Sequence, residues 1–132
     1  QAKRVVGFDP FIVNQPQKNG NRILQILREN PQVRCYVMST GRVGGNSGAN
    51  ITPEVTFACI EAVLRDQLQF RYDDILGYEV PESYPFEGGE RYDPYRVWDR
   101  DTYKKIIGEL RKDRREYLGK FSGLAQEIVT AV

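Results

Sequence analysis

The amino-acid sequence predicts a mixed α/β fold: a small sheet of short strands packed with helices, closed by a long C-terminal helix. Three observations predict it. Residues 33–38 (VRCYVM) alternate in the manner of a strand. Thr52 and Pro53, a good cap and a good first helical residue, precede apolar residues at helical spacing. From Asp101 onward, TYKKIIGELRKDRREYLGKFSGLAQEIVTAV carries an amphipathic helical repeat.

Taken in order, residues 4–13 (RVVGFDPFIV) are β-branched and aromatic, interrupted by Asp9 and Pro10, as suits one or two short strands or an extended entry. Between Gln17 and Asn30, a stripe of Ile23, Leu24, Ile26 and Leu27 predicts a helix. Asn30 before Pro31 ends it, because a residue preceding proline avoids the helical region. In VRCYVM, Val33, Cys35 and Val37 are expected on a covered face and Arg34, Tyr36 and Met38 on a partly covered one. A glycine-rich loop follows, then a helix from about Pro53 to Leu68 with Val55, Cys59, Ala62 and Val63 inward.

FRYDDILGYEVPES, residues 70–83, reads as a turn and then a short strand around Leu76 to Val80, stopped by Pro81. Residues 83–101 (SYPFEGGERYDPYRVWDRD) have no period and read as a surface-hugging loop whose aromatics, Trp98 among them, pack onto the body. Ile106, Ile107, Leu110, Tyr117 and Leu118 form most of the last helix's stripe, with a break expected near Gly119 or Gly123. The run RKDRREY is a solvated face laced with i,i+3 and i,i+4 pairs. One domain is expected over residues 1–132, with a core at 4–83, an aromatic and proline-rich loop at 84–100, and C-terminal helices at 101–132.

A chain of 132 residues buries enough surface for a real core. Nineteen basic and eighteen acidic residues leave a net charge of +1, so no global field favours nucleic acid or an anionic membrane. No apolar run approaches the ~18 residues a membrane span needs. Cys35 and Cys59 each lie within an apolar pattern and are expected as reduced core residues of a cytoplasmic protein. With no histidine at all, the commonest general base, the Ser-His and Cys-His pairs and most zinc sites are missing, which argues against self-contained hydrolase chemistry. The opening QAKRVVGF, without an initiator methionine or a secretory pattern, is what a piece of a longer polypeptide is expected to show.

The stretch VMSTGRVGGNSGANITPEV, residues 37–55, joins the expected strand to the expected helix. Strand, glycine loop and helix N-terminus together present free N–H groups and a positive dipole end to an anion. Gly41, Gly44, Gly45 and Gly48 permit close backbone approach. Yet the loop is neither GxxxxGK[ST] nor GxGxxG, so it is not a P-loop. An anion-binding loop and a flexible connection both remain open. Arg42, the loop's one cation, suits a phosphate or carboxylate, or is a plain surface residue. Thr40, Thr52 and Thr56 are ligand hydroxyls, or a strand end, a helix cap and a residue bonded to its own preceding turn. Glu79, Asp73 and Asp74 are metal or base carboxylates, or simply solvated.

Read together, DPFIVNQPQKNGNRILQIL, VRCYVMSTGRVGG, SGANITPEVTFACIEAVL and ILGYEVPES resemble the C-terminal half of ATP-dependent phosphoenolpyruvate carboxykinases over about residues 9–83. In that family a strand runs into N-T-G-W and a glycine loop. G-x-R-I-x-x-x-x-T-R then opens a helix ending A-I-L, and a short strand with F-x-V-P-T follows. Thr40, Gly41, Ile51 and Thr56 match the family's Thr, Gly, Ile and Thr. Ser39 replaces its Asn, Arg42 its Trp, Asn50 its nucleotide-contacting Arg, and Phe57 the Arg after Thr. The resemblance implies that this segment frames the base and ribose of ATP, with Thr40, Gly41, Arg42, Gly44, Gly45, Asn50, Ile51 and Thr56 as nucleotide-binding residues. It further implies a P-loop and a divalent metal on Lys, His and Asp upstream in the full-length protein, no catalytic or metal-ligating residue here, and the upstream domain as partner. The loss of arginine at Asn50 leaves a second reading, a non-catalytic regulatory or interaction domain retaining the fold. A third is an independent small anion-binding protein.

Overall fold

The computed structural model describes residues 15–84 and 86–132, so the strands expected at residues 4–13 lie outside the described residues. In chain order the elements are α1 (Pro16–Glu29), β1 (Arg42–Val43), β2 (Ala49–Asn50), α2 (Pro53–Leu64), β3 (Phe70–Asp73), β4 (Tyr78–Pro81), α3 (Arg100–Leu118) and α4 (Gln126–Thr130). Short 3₁₀ turns occupy Gly45–Ser47, Gly89–Tyr92 and Pro94–Arg96. The fold is mixed α/β, as expected, and its strands form two antiparallel hairpins, β1–β2 and β3–β4. The described residues divide into two compact units, 15–35 with 108–132 and 36–107.

In the first unit, α1 begins on Pro16, whose fixed φ and missing N–H suit a first turn. The Asn30 side chain bonds the Ile26 carbonyl at 2.8 Å, closing the C-terminal end before Pro31. Asn21 fastens α1 to the tail of the chain: its Nδ2 donates to the Gly123 carbonyl and its Oδ1 accepts from the Ala125 N–H, both at 2.8 Å. Arg28 pairs with Glu127 of α4. The expected break appears where Gly119 follows Leu118, and Gly123 adopts φ 84°, a conformation glycine enters without strain. Leu118 and Leu124 are buried there, with Tyr117, Phe121, Ile128, Val129 and Val132 packed against them.

In the second unit, β3 pairs with β4 in the register Phe70↔Pro81 to Asp73↔Tyr78. The FRYD segment, expected as a turn, is therefore a strand. The turn lies just beyond it, made by Asp73, whose Oδ1 accepts the N–H groups of Ile75 at 3.0 Å and Leu76 at 2.9 Å. An aspartate bonded to its own following backbone bends the chain in this way. Above the hairpin, Tyr92 and Tyr103 are buried, Tyr95 meets Tyr103 edge-on with ring centres 5.1 Å apart, and Trp98 stacks on Tyr103. The aromatics of the 84–100 segment thus pack onto the body, as their composition led us to expect.

Helix α2 buries Ala62 and half-buries Val55, Cys59 and Val63, the face its spacing predicts. It stops at Leu64, four residues early. Asp66 turns left-handed at φ 55°, and the Gln67 N–H bonds back to the Ala62 carbonyl at 2.8 Å.

The expected strand at residues 33–38 is not a strand. Among the described residues, backbone groups of 34–40 neither donate to nor accept from any other backbone group. Neither face is covered: Tyr36 touches Phe70, ring centres 5.9 Å apart, yet is itself exposed, as are Val33, Met38 and Val37, the last 95% exposed. Cys35 is exposed as well and Cys59 half-buried, so Cys35 is not a core residue. Alternation specifies which side chains share a face; it cannot supply the neighbouring strand that a ladder requires.

Candidate functional site

The glycine stretch is a tight hairpin. Arg42 pairs with Asn50 and Val43 with Ala49, and the Ile51 N–H extends the ladder to the Gly41 carbonyl at 3.0 Å. Three of its glycines are compelled by geometry. Gly44 and Gly45 sit at φ 97° and 69° in the left-handed region. A Cβ at Gly48 would lie 1.8 Å from the Val43 carbonyl oxygen, so the two strands close only over a residue without one. The buried Tyr92 anchors the hairpin by donating its hydroxyl hydrogen to the Asn50 carbonyl at 3.1 Å.

Arg42 is held within this hairpin. Its Nε donates to Asn50 Oδ1 at 2.7 Å and its Nη1 to the Asn46 carbonyl. The two positions that depart from the family pattern as Trp to Arg and Arg to Asn are therefore direct cross-strand partners. The guanidinium sits over position 50 but is carried by the opposite strand.

Below the hairpin, Thr40, Ile51, Pro53, Thr56 and Phe57 line an open depression of about 250 Å³. The sequence-predicted Thr40, Ile51 and Thr56 come together there, whereas Arg42, Gly44, Gly45 and Asn50 do not line it and belong to the hairpin. Pro53 and Phe57 were read from sequence as a helix start and a departure from the family pattern. They line the depression because positions four apart share one helix face. Their spacing was the signal that could have identified them.

The lining offers apolar surface with hydroxyls at its edge. The Thr52 hydroxyl caps α2, accepting from the Val55 N–H at 3.5 Å. A hydrogen bond from Thr52 also lowers the pKa of the Glu54 carboxyl below the usual carboxylate value. Thr56 donates its hydroxyl hydrogen to the Thr52 carbonyl at 3.2 Å, leaving its lone pairs for a ligand donor. A flat apolar group with hydrogen-bonding edges suits such a surface better than a phosphate chain does.

The carboxylates are employed elsewhere. Asp73 is 1% exposed, and besides the turn N–H groups it accepts the Tyr95 hydroxyl at 2.9 Å on Oδ2. Its solvated reading is thus corrected: it is a buried structural carboxylate. Burial first, then the charge of Asp73, pushes the Tyr103 hydroxyl up to about 12. Asp74 pairs with Arg100, and that hydrogen bond holds its carboxyl below the usual range. Among the described residues, no three His, Cys, Asp or Glu side chains cluster to hold a metal ion, so the divalent metal implied for the full-length protein does not fit these residues. Among those residues, too, no helix is long and apolar enough to cross a membrane.

A sequence model of the family described as phosphoenolpyruvate carboxykinase matches residues 7–87. Phosphoenolpyruvate carboxykinase (ATP) of Bradyrhizobium sp. (strain BTAi1 / ATCC BAA-1182) is 31% identical over 114 residues, covering 79% of this chain and 21% of the relative. The enzyme of the same name from Rhodopseudomonas palustris (strain BisA53) is 27% identical over 132 residues, covering 92% and 24%. That of Chelativorans sp. (strain BNC1) is 33% identical over 100 residues, covering 71% and 18%. The chain spans about a fifth of the length of the curated relatives it matches.

Proposed function

Because the chain belongs to the ATP-dependent phosphoenolpyruvate carboxykinase family, we propose that it supplies the base-and-ribose wall of a purine-nucleotide pocket for ATP. The observation that carries this reading is the apolar depression at Thr40, Ile51, Pro53, Thr56 and Phe57, where three residues of the family motif meet. Ile51, Pro53 and Phe57 offer apolar surface to a base, and the threonines offer hydroxyls to its edge or to the ribose. The hairpin with Gly41, Arg42, Gly44, Gly45 and Asn50 borders the site, its flanking residues Thr40 and Ile51 lining the depression. In this reading the P-loop and the metal-binding side chains lie in polypeptide upstream of this chain, in the same cytoplasmic protein. The chain's own contribution is then to hold the nucleotide in place while groups outside it act on the phosphates. The whole protein would convert oxaloacetate and ATP to phosphoenolpyruvate, CO₂ and ADP.

Amide shifts of the isotope-labelled chain test this. Adenosine and MgATP should both shift Thr40, Gly41, Ile51 and Thr56, with dissociation constants roughly in the millimolar range that a few contacts provide. Tripolyphosphate should leave them unmoved. Shifts with tripolyphosphate alone would make the hairpin an independent anion site. No shift with any of the three would favour the non-catalytic interaction domain, which the replacement of arginine by Asn50 motivates.

A further inference from the structure

Phe57 is a large ring with no ring resting on it. It is 68% exposed, and among the described residues no other aromatic ring packs on it and no cation lies over it. Positions 53, 56 and 57 are spaced i, i+3 and i+4, so α2 turns Pro53, Thr56 and Phe57 toward the depression on one face. The rest of the lining, Thr40 and Ile51, is uncharged as well. Arg42 is tied by Nε to Asn50 Oδ1 and by Nη1 to the Asn46 carbonyl. Glu54 places a carboxylate in the first turn of α2, where a phosphate would otherwise gain from the helix dipole.

Size and charge narrow the occupant. At about 250 Å³ the depression is smaller than the roughly 300–1,000 Å³ that drug-sized ligands fill, so it takes one flat ring system and leaves the rest of a ligand outside. An uncharged concavity with an uncovered aromatic ring suits a nucleobase, whose faces are apolar and polarisable. Phe57 stands where the family pattern has an arginine after its threonine, so in this chain a cation is exchanged for a ring. We infer that Phe57 selects the base: its ring stacks on the face of a purine, and that contact, more than any to phosphate, sets the affinity. A purine overlaps the ring over a larger area than a pyrimidine does, so the preference between them is a preference for stacking area. This rests on the pocket reading above and deepens it, assigning discrimination to a residue outside the family motif.

The test titrates the isotope-labelled chain with AMP, CMP and ribose 5-phosphate, which share ribose and phosphate and differ in the base. AMP should shift the Thr40, Ile51 and Thr56 amides and move the Phe57 ring protons upfield, the ring-current signature of a base lying face to face. A phenylalanine with a merely structural role would not show it. CMP should bind about threefold more weakly, and ribose 5-phosphate should leave these signals unmoved. Phe57→Leu, which keeps apolar bulk without a π face, should weaken AMP about tenfold and bring AMP and CMP within about twofold of each other. Phe57→Trp should keep or enlarge the purine preference, and neither variant should alter the melting temperature, because the side chain is exposed. Unchanged AMP affinity in Phe57→Leu, with the Thr40, Ile51 and Thr56 shifts intact, would overturn the inference and leave the pocket reading standing. So would AMP binding to the unsubstituted chain without the upfield shift, a result that needs no variant to fold. Shifts with ribose 5-phosphate as large as with AMP would overturn it by making phosphate the ligand. No shift with AMP would remove the inference and the pocket reading together.

Discussion

Gly48 has no room for a side chain: the Val43 carbonyl oxygen stands 1.8 Å from where its Cβ would be. Gly48→Ala should open the β1–β2 hairpin at a cost of about 1–3 kcal/mol, the range for forcing atoms into closed space, read from urea denaturation. Asp73 is the opposite kind of residue, indispensable for what it accepts. Asp73→Ala strands the Ile75 and Leu76 N–H groups and the Tyr95 hydroxyl and should cost about 2–4 kcal/mol in the same measurement. Tyr103 adds a pH dependence. Its hydroxyl is raised to about 12, so between pH 10 and 12 the folded chain keeps a proton that the unfolded chain loses. Stability is therefore whole below pH 10 and falls by about 2 kcal/mol as pH rises to 12. Urea midpoints at pH 9 and 11.5 should show the fall, and Tyr103→Phe should reduce it, the remainder coming from Tyr84 and Tyr95, whose hydroxyls burial also raises. Of these residues, the sequence marked Gly48 as a loop glycine but offered no sign that Asp73 is buried. An aspartate before a turn reads alike whether its carboxylate faces water or a tyrosine from 22 residues away.

At the scale of elements, local rules were legible where one segment satisfies its own backbone. The starts of α1 and α2 follow Pro16 and the Thr52–Pro53 pair, and α3 ends before Gly119. Thr52→Ala should destabilise the chain by about 1 kcal/mol, the usual worth of a cap, with Thr52→Ser nearly neutral. Strands fared differently. FRYD became β3 because YEVP pairs with it, and VRCYVM did not become a strand because nothing among the described residues does. In β1–β2, the Arg42–Asn50 hydrogen bond is exposed, so a double-mutant cycle of Arg42→Met and Asn50→Ala should give a coupling of about 0.5 kcal/mol. A larger effect on adenosine affinity than on stability would mark the pair as serving the pocket more than the fold.

For the molecule as a whole, the irregular segment between α1 and β1, whose backbone groups from 34 to 40 pair with no other backbone group among the described residues, is the weak point. Arg34 is exposed within it, whereas many other basic residues lie on helices. Brief trypsin treatment should cut first after Arg34, a scission that mass spectrometry identifies, because proteases need extended, accessible backbone. By itself the sequence determined the starts of the helices, the position of the glycine loop, the packing of the 84–100 aromatics, and, through four motifs in order, the family. Each depends on contacts between near neighbours in the chain, or on a pattern readable without coordinates. Tertiary structure alone decided that neither face of residues 33–38 is covered, that Asp73 is buried, that Arg42 reaches Asn50, and that Pro53 and Phe57 join Thr40, Ile51 and Thr56 around one depression. Those outcomes depend on partners distant in sequence or on the exact closure of a hairpin, and periodicity reports which side chains share a face without saying what lies opposite it.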